Sequence, residues 1–197
     1  MTLICNARSG RGGVGKALPE VRANLDRREL EYRVRFTEGR GHATEIAREE
    51  LEAGTRFLVA MGGDGTVHEV VNGMLAGDAP VNPEAVLGVV AAGTGSDFIK
   101  TFGLPAMPAH AVAHLDGPES FPIDIGKITF VQDGAEVVRY FPNIAEAGLG
   151  AAVVARAERL PRWLGPTVYF FAFWMTIRKH KQVDVVVDLV DPSTRGR

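Results

Sequence analysis

Phe57-Leu58-Val59-Ala60-Met61, Gly62-Gly63-Asp64-Gly65-Thr66 and Val67-His68-Glu69-Val70-Val71-Asn72-Gly73-Met74 follow one another without a break. The first run has no polar member and reads as a strand buried on both faces. In the last run apolar residues recur at Val67, Val70, Val71 and Met74, the spacing of one helix face. A strand therefore ends, three glycines and an aspartate turn the chain, and a helix begins. That arrangement aims several backbone N–H groups, with the positive end of the helix dipole, at one spot beyond the strand, and such a spot takes phosphate. A Cβ there would hold phosphate off the backbone, and glycine also supplies positive φ where a turn needs it. Asp64 is an acid where anions should bind. Holding a metal ion, or water on that ion, reconciles it with phosphate; the plainer alternative makes it the N-cap of a tight strand-helix turn.

Outward from this unit the alternation repeats. Leu3-Ile4-Cys5 predicts a short first strand, and Asn6-Ala7-Arg8-Ser9-Gly10-Arg11-Gly12-Gly13-Val14-Gly15 a glycine-rich turn into a helix carrying Leu18, Val21 and Leu25. Gly10, Gly12 and Gly15 fit the dinucleotide pattern G-x-G-x-x-G, with Glu38 placed for a ribose contact. Gly10, Gly15 and Lys16 fit the phosphate-loop pattern up to its last position, where Ala17 has no hydroxyl for magnesium. The dinucleotide reading leaves the glycine turns at Gly62 and Gly93 without work.

Tyr32-Arg33-Val34-Arg35-Phe36 alternates and predicts a second strand, ending at Thr37 beside the end of the Gly62 strand. Residues 41–51 predict a helix stopped by Gly54, and His42 at its start either contacts phosphate or packs the turn. Ala85-Val86-Leu87-Gly88-Val89-Val90 predicts another buried strand. Ala91-Ala92-Gly93-Thr94-Gly95-Ser96-Asp97-Phe98 then turns into a helix that Ser96 or Asp97 caps. Four strand-helix alternations in about 100 residues predict a parallel sheet wound with helices. Such sheets bind ligands beyond the carboxyl ends of their strands. The turns at Asn6, Thr37, Gly62 and Gly93 all fall on that rim.

From Phe121 the pattern changes. Ile123-Asp124-Ile125-Gly126-Lys127-Ile128-Thr129-Phe130, an Asp133-Gly134 turn and Val137-Val138-Arg139-Tyr140-Phe141 predict a hairpin. The expected organisation is an α/β domain over residues 1–120 and a partial β-sandwich domain over residues 121–197. The aromatic run from Val168 to Met175, followed by Arg178, Lys179, His180 and Lys181, reads either as a buried helix with a basic cap or as a segment bordering an anionic membrane surface.

Composition narrows the class. With 46% hydrophobic residues the chain can bury a core. A net charge of −2 gives no basic field for nucleic acid. The single cysteine, Cys5, lies in an apolar run and reads as an inert buried thiol in a reducing compartment. The amino terminus is too short for a signal sequence, and the longest apolar run falls short of the ~20 residues of a membrane span. A cytoplasmic protein is expected, with peripheral membrane contact open.

Asn6-Ala7-Arg8-Ser9-Gly10, then Thr37 with His42-Ala43, then residues 62–73 and 93–98, follow in order the motifs N-P-x-S-G, T-x-x-x-x-H-A, G-G-D-G-T-x-x-E-V-x-N-G and G-T-x-N-D-F. Residues 141–150 are similar to a further motif, F-x-N-x-x-x-x-G-x-G. Over essentially its whole length the chain resembles the catalytic domain of the diacylglycerol kinase and bacterial lipid kinase family, a group that includes sphingosine and ceramide kinases. Ala7 replaces the usual proline, which loosens the loop because proline fixes φ. Ser96 replaces the usual asparagine and keeps a hydroxyl able to cap.

The resemblance implies ATP and Mg2+ bound between the α/β domain and a β-sandwich, with the γ-phosphate passed to the hydroxyl of a lipid alcohol such as diacylglycerol. It implies that Asn6, Ala7, Arg8, Ser9, Gly10, Thr37, Gly62, Gly63, Asp64, Gly65, Thr66, Val67, His68 and Thr94 line the nucleotide, with Asp64 in the metal shell. Lys16 either adds phosphate charge or is a solvated helix side chain. Glu69 and Asn72, three apart, either orient the glycine loop from behind or form a simple pair.

The base that phosphoryl transfer needs at the acceptor is expected beyond Arg197, in acidic motifs late in the sandwich. Asp97 reads as a cap, Asp124 as part of the crossing strand and Asp188 as solvent-facing. The chain is thus expected not to complete the reaction alone, leaving open a fragment, a frameshifted product, or a domain completed by a second copy as a homodimer. Two other functions stay open: an NAD kinase or phosphofructokinase relative sharing G-G-D-G, against which Glu69-Val70-Val71-Asn72-Gly73 weighs, and a regulatory domain that binds ATP without turnover.

Overall fold

The computed structural model describes residues 1–92, 97–117, 119–146, 148–157, 159–161, 165 and 167–178. In chain order β1 (Thr2–Cys5) leads through one 3-10 turn (Ser9–Arg11) to α1 (Gly13–Arg27), then β2 (Arg33–Phe36), α2 (His42–Glu52), β3 (Phe57–Gly62) and α3 (Asp64–Met74). A minimal hairpin, β4 (Leu75–Ala76) and β5 (Ala79–Pro80), precedes β6 (Val86–Ala91), α4 (Asp97–Thr101) and α5 (Pro108–Leu115). A longer hairpin follows, β7 (Gly126–Gln132) and β8 (Ala135–Phe141), and then α6 (Leu149–Ala157) and α7 (Val168–Ile177).

The sheet is parallel throughout, in the order β2-β1-β3-β6, with Cys5 opposite both Phe36 and Met61, and Met61 opposite Val90. Side chains alternate between its faces, as pleating requires. Leu3, Cys5, Val59, Met61 and Val90 meet Val14, Leu18, Val21 and Leu25 of α1 and Ala111, Val112 and Leu115 of α5. Ile4, Leu58, Ala60, Val89 and Ala91 meet Ala43, Ile46, Ala47 and Leu51 of α2, Val67 and Val70 of α3, and Phe98 and Ile99 of α4. This double cover explains why β1, β3 and β6 are almost wholly apolar. The buried Cys5 thiol is pushed up to about 12, mainly by burial, with Arg22 acting weakly the other way.

At the amino end of the sheet Glu50 is buried and tied on all sides. It accepts the Thr2 hydroxyl at 2.7 Å, Arg35 Nη1 at 2.9 Å and the Thr55 hydroxyl at 3.2 Å, and it pairs with Arg33. Burial pushes its carboxyl up, but those hydrogen bonds and the Arg33 charge outweigh burial and hold it below the usual glutamate value.

Two expectations are corrected. Thr37 does not lie beside the end of the Gly62 strand, because β1 runs between β2 and β3; its N–H donates to the Cys5 carbonyl at 2.9 Å. Asp124 is not in a strand, since β7 begins at Gly126, where a Cβ would overlap the Phe141 ring. The hairpin turn itself is as read: Asp133 and Gly134 both have positive φ, 52° and 80°, as a two-residue turn of matching twist demands.

By contacts the chain forms two units, Met1–Ile144, which contains this hairpin, and Ala145–Arg197. In the second, Ala172 and Thr176 form the buried face of α7, and Arg156 of α6 donates from Nε to the Thr176 hydroxyl at 2.9 Å. Apart from half-buried Val168 the rest of α7 is exposed, including Phe170 at 62% and Trp174 at 56%, so it is not an interior helix among the described residues. No described helix is long and apolar enough to cross a membrane. Lys179, His180, Lys181 and Asp188 lie outside the described residues.

Candidate functional site

At the carboxyl edge of the sheet β1, β3 and β6 end side by side. The Asn6 N–H donates to the Met61 carbonyl at 3.1 Å, and the Ala92 N–H donates to the Gly62 carbonyl at 2.8 Å. Asn6 is the hub of the first turn. Its carbonyl accepts the Ser9 N–H at 2.9 Å, its Oδ1 accepts the Arg8 N–H at 3.1 Å, and its Nδ2 reaches Thr66 Oγ1 at 3.4 Å. Ala7 and Arg8 are exposed, Ser9 and Gly10 half-buried. Gly10 and Gly12 have φ of 57° and 87°, and a Cβ on Gly13 would stand 2.7 Å from the Ala92 carbonyl oxygen. The first loop therefore needs glycine for backbone conformation and for close approach to the end of β6.

The Gly62–Thr66 turn differs from expectation in its reason for glycine. None of its glycines has positive φ. Gly62 is needed because a Cβ would overlap the Thr66 side chain. Gly63, at φ −99° and ψ −175°, is the N-cap residue of α3, so Asp64 is not the cap of its own helix. The Gly63 carbonyl accepts the Thr66 and Val67 N–H groups at 2.9 and 3.2 Å. The donors that α3 can turn towards a ligand are thus those of Gly63, Asp64 and Gly65. Thr66 and Val67 are buried, and the Thr66 hydroxyl faces Asn6.

Asp64, half-buried, accepts the Phe98 N–H on Oδ1 at 3.0 Å and so caps α4. Glu69 does the same for α2. Its carboxylate accepts the Ala43 N–H at 3.2 Å, and its carbonyl accepts the Thr44 hydroxyl at 2.8 Å. Acids from α3 therefore occupy the N-termini of α2 and α4. Those of α1 and α3 carry no side-chain cap and face the rim. Glu69 does not support the glycine loop from behind, and it is not simply paired with Asn72. Sequence reasoning missed both capping roles, whose one signal was polar side chains on an otherwise apolar helix.

Thr37 is half-buried at the edge strand, two strands from β3. His42 packs its turn, accepting the Glu38 N–H on Nδ1 at 3.0 Å. His68 is half-buried facing Asn72, with Nε2 3.4 Å from Nδ2; burial, then the Arg139 charge, push its pKa down against Glu69. Lys16 is exposed on α1. Thr94, with Gly93, Gly95 and Ser96, lies outside the described residues. Among the described residues no three His, Cys, Asp or Glu side chains gather as a metal group. A lone half-buried carboxylate fits Mg2+, which keeps several waters and shares the rest of its shell with phosphate oxygens.

Glycine turns and uncapped helix N-termini on one strand edge make up an α/β arrangement chemically able to take phosphate. Residues 1–128 match the diacylglycerol kinase catalytic domain, and the chain belongs to that family. It is 30% identical over 195 residues to a diacylglycerol kinase of Staphylococcus saprophyticus, covering 98% of this chain and 60% of the relative. It is 38% identical over 143 residues to the "probable lipid kinase YegS-like" of Pseudomonas aeruginosa, covering 72% and 42%. A crystal structure of a diacylglycerol kinase from Bacillus anthracis strain Sterne superposes with a TM-score of 0.55 at 25% identity, over 68% of this chain and 46% of that one. The chain thus spans 60% or less of the length of these relatives.

Proposed function

We propose that this chain carries the nucleotide site of an ATP-dependent lipid kinase. The observation that carries the reading is the pair of uncapped N-termini, those of α1 and α3, at the ends of neighbouring strands, in a family of lipid kinases. Phosphate oxygens would meet the Gly63, Asp64 and Gly65 N–H groups on one side and the Ser9–Gly13 turn on the other. Asn6 holds the two turns together through Met61 and Thr66. With Oδ1 given to Phe98, Asp64 has Oδ2 for the metal shell. Mg2+, when bound, neutralises charge developing on the transferred phosphoryl group.

In the transfer the acceptor hydroxyl oxygen forms a bond to the γ-phosphorus as the bond to the β,γ-bridging oxygen breaks, leaving ADP; the hydroxyl proton passes to a base. That base is assigned to a group outside these residues. The acceptor class is a lipid alcohol. Peripheral membrane contact through α7 is supported by its exposed aromatic side chains and by residues 159–183, which hold Arg159, Arg162, Arg178, Lys179 and Lys181 and no Asp or Glu.

The test is ATP consumption by the folded chain with diacylglycerol, sphingosine and NAD in parallel, alongside calorimetric titration with Mg-ATP. With the base outside these residues, nucleotide binding without turnover is the expected result, and turnover of any acceptor would put the base within them. No nucleotide binding by a folded chain would remove the reading.

A further inference from the structure

The β7–β8 hairpin has little apolar support of its own. Six of the seven β7 residues are exposed, Val131 at 74%, and a two-stranded hairpin is marginal in water. What fastens it to α3 is the side chain of Asn72. Nδ2 donates to the Tyr140 carbonyl at 2.7 Å, and Oδ1 accepts the Tyr140 N–H at 3.0 Å. Tyr140 offers one backbone donor and one acceptor, so the two ends of the amide are fixed; reversing it would set donor against donor and acceptor against acceptor. Nδ2 spends its second proton on the His68 carbonyl at 2.8 Å.

Both amide protons are then committed, and the His68 ring stands beside the same nitrogen, with Nε2 3.4 Å from Nδ2. An unprotonated Nε2 is tolerated there, because it brings a lone pair towards the amide protons. A proton on Nε2 would set N–H against N–H with no acceptor between them. Neutral His68 meets this demand by carrying its one proton on Nδ1, and the imidazolium cannot meet it. The surroundings act in the same sense: burial, then the Arg139 charge on β8, hold the His68 pKa below the ordinary histidine value against Glu69 of its own helix. On the other helices packed against α3 the charged groups are engaged elsewhere. Arg48 of α2 donates to the Asn72 and Leu75 carbonyls at 3.3 and 2.9 Å, and Lys100 of α4 pairs with Asp97 at 3.0 Å.

We infer that His68 and Asn72 form an acid-sensitive catch: neutral His68 lets Asn72 hold Tyr140, and protonation of the ring at Nε2 releases the hairpin from α3. The catch needs no nucleotide, lipid or metal. The held hairpin favours neutral His68, so the hold is complete above the ordinary histidine value of about 6.5 and weakens as pH falls below it towards the lower value of the held state. A second tie does not titrate in that window. Hydrogen bonds from Lys127 at 2.7 Å and from the Tyr140 hydroxyl at 2.8 Å keep the Asp78 carboxyl below the ordinary aspartate value.

The experiment follows amide hydrogen exchange of the nucleotide-free chain between roughly pH 5 and pH 7.5, expressed as protection relative to the unstructured chain, in wild type, His68→Phe and Asn72→Ala. His68→Gln keeps an acceptor and does not titrate, and it serves if His68→Phe does not fold. Expected in wild type is protection at Tyr140 lower by roughly fivefold or more at the acid end, with β1 and β3 amides unchanged. In the His68 variant protection at Tyr140 should be independent of pH, and in Asn72→Ala it should be low throughout. Wild-type protection that does not change with pH, or that falls equally in the His68 variant, overturns the catch. Protection lost in parallel at β1 and β3 overturns it in favour of general acid unfolding. Asn72→Ala protected as well as wild type at neutral pH overturns Asn72 as the holder of the hairpin.

Discussion

The Asp64 carboxylate accepts the Phe98 N–H at 3.0 Å, so one acid joins the Gly62–Thr66 turn to the start of α4, 34 residues on in the chain. It begins α3, caps α4, and keeps its second oxygen for a cation. Asp64→Asn retains an acceptor for Phe98 while removing the charge. The variant is expected to melt close to wild type and to bind ATP without metal almost as well. Its magnesium-dependent turnover, measured in whatever assembly supports the reaction, should fall by roughly a hundredfold. Equal losses in metal-free binding and turnover would reduce Asp64 to a cap.

Glu50 makes stability depend on acid. Its folded pKa is depressed, so its contribution is fully present above the ordinary glutamate value of about 4.3 and is lost as pH falls through the lower folded value. Glu50→Gln is expected to cost about 2 kcal/mol at neutral pH, the partly exposed arginines limiting the loss. The difference from wild type should shrink below about pH 4. Denaturant melts of both proteins at neutral and acid pH check this; a difference independent of pH would contradict it.

How much of this was legible in the sequence follows from what is local. The β3 to α3 unit, the parallel sheet and the Asp133-Gly134 turn are written in period and turn chemistry within a few residues of one another. Strand order is not, since Tyr32–Phe36 looks the same whether it pairs with β1 or β3. Nor could the roles of Glu69 and Asn72 be read, because Ala43 lies 26 residues away and Tyr140 lies 68 away. The positive φ expected at Gly62–Gly65 sits instead in the first loop, at Gly10 and Gly12; composition alone does not separate a glycine needed for space from one needed for conformation.

Cys5 should be chemically silent. With its thiol raised to about 12 and its side chain buried, alkylation by iodoacetamide in the folded protein is expected to be slower by roughly a thousandfold than after unfolding. Rapid labelling of a protein that remains folded would show that the β1 face opens.

Charge reversal of Arg178 together with Lys179 tests the membrane contact of α7. Sedimentation with anionic vesicles should weaken by at least roughly thirtyfold for the double reversal, at about 1 kcal/mol for each cation lost before the repulsion of the added anions. Unchanged sedimentation would remove α7 from the membrane account.

The most direct measurement is the affinity of the folded chain for Mg-ATP before and after Gly63→Val. The backbone at Gly63, φ −99° and ψ −175°, is one that valine also adopts, so the substitution imposes no positive-φ strain. Calorimetry is expected to show binding by wild type and a loss of at least ~2 kcal/mol in the variant, with the melting temperature little changed. Equal ATP affinity in a folded Gly63→Val protein would contradict a phosphate site at the start of α3.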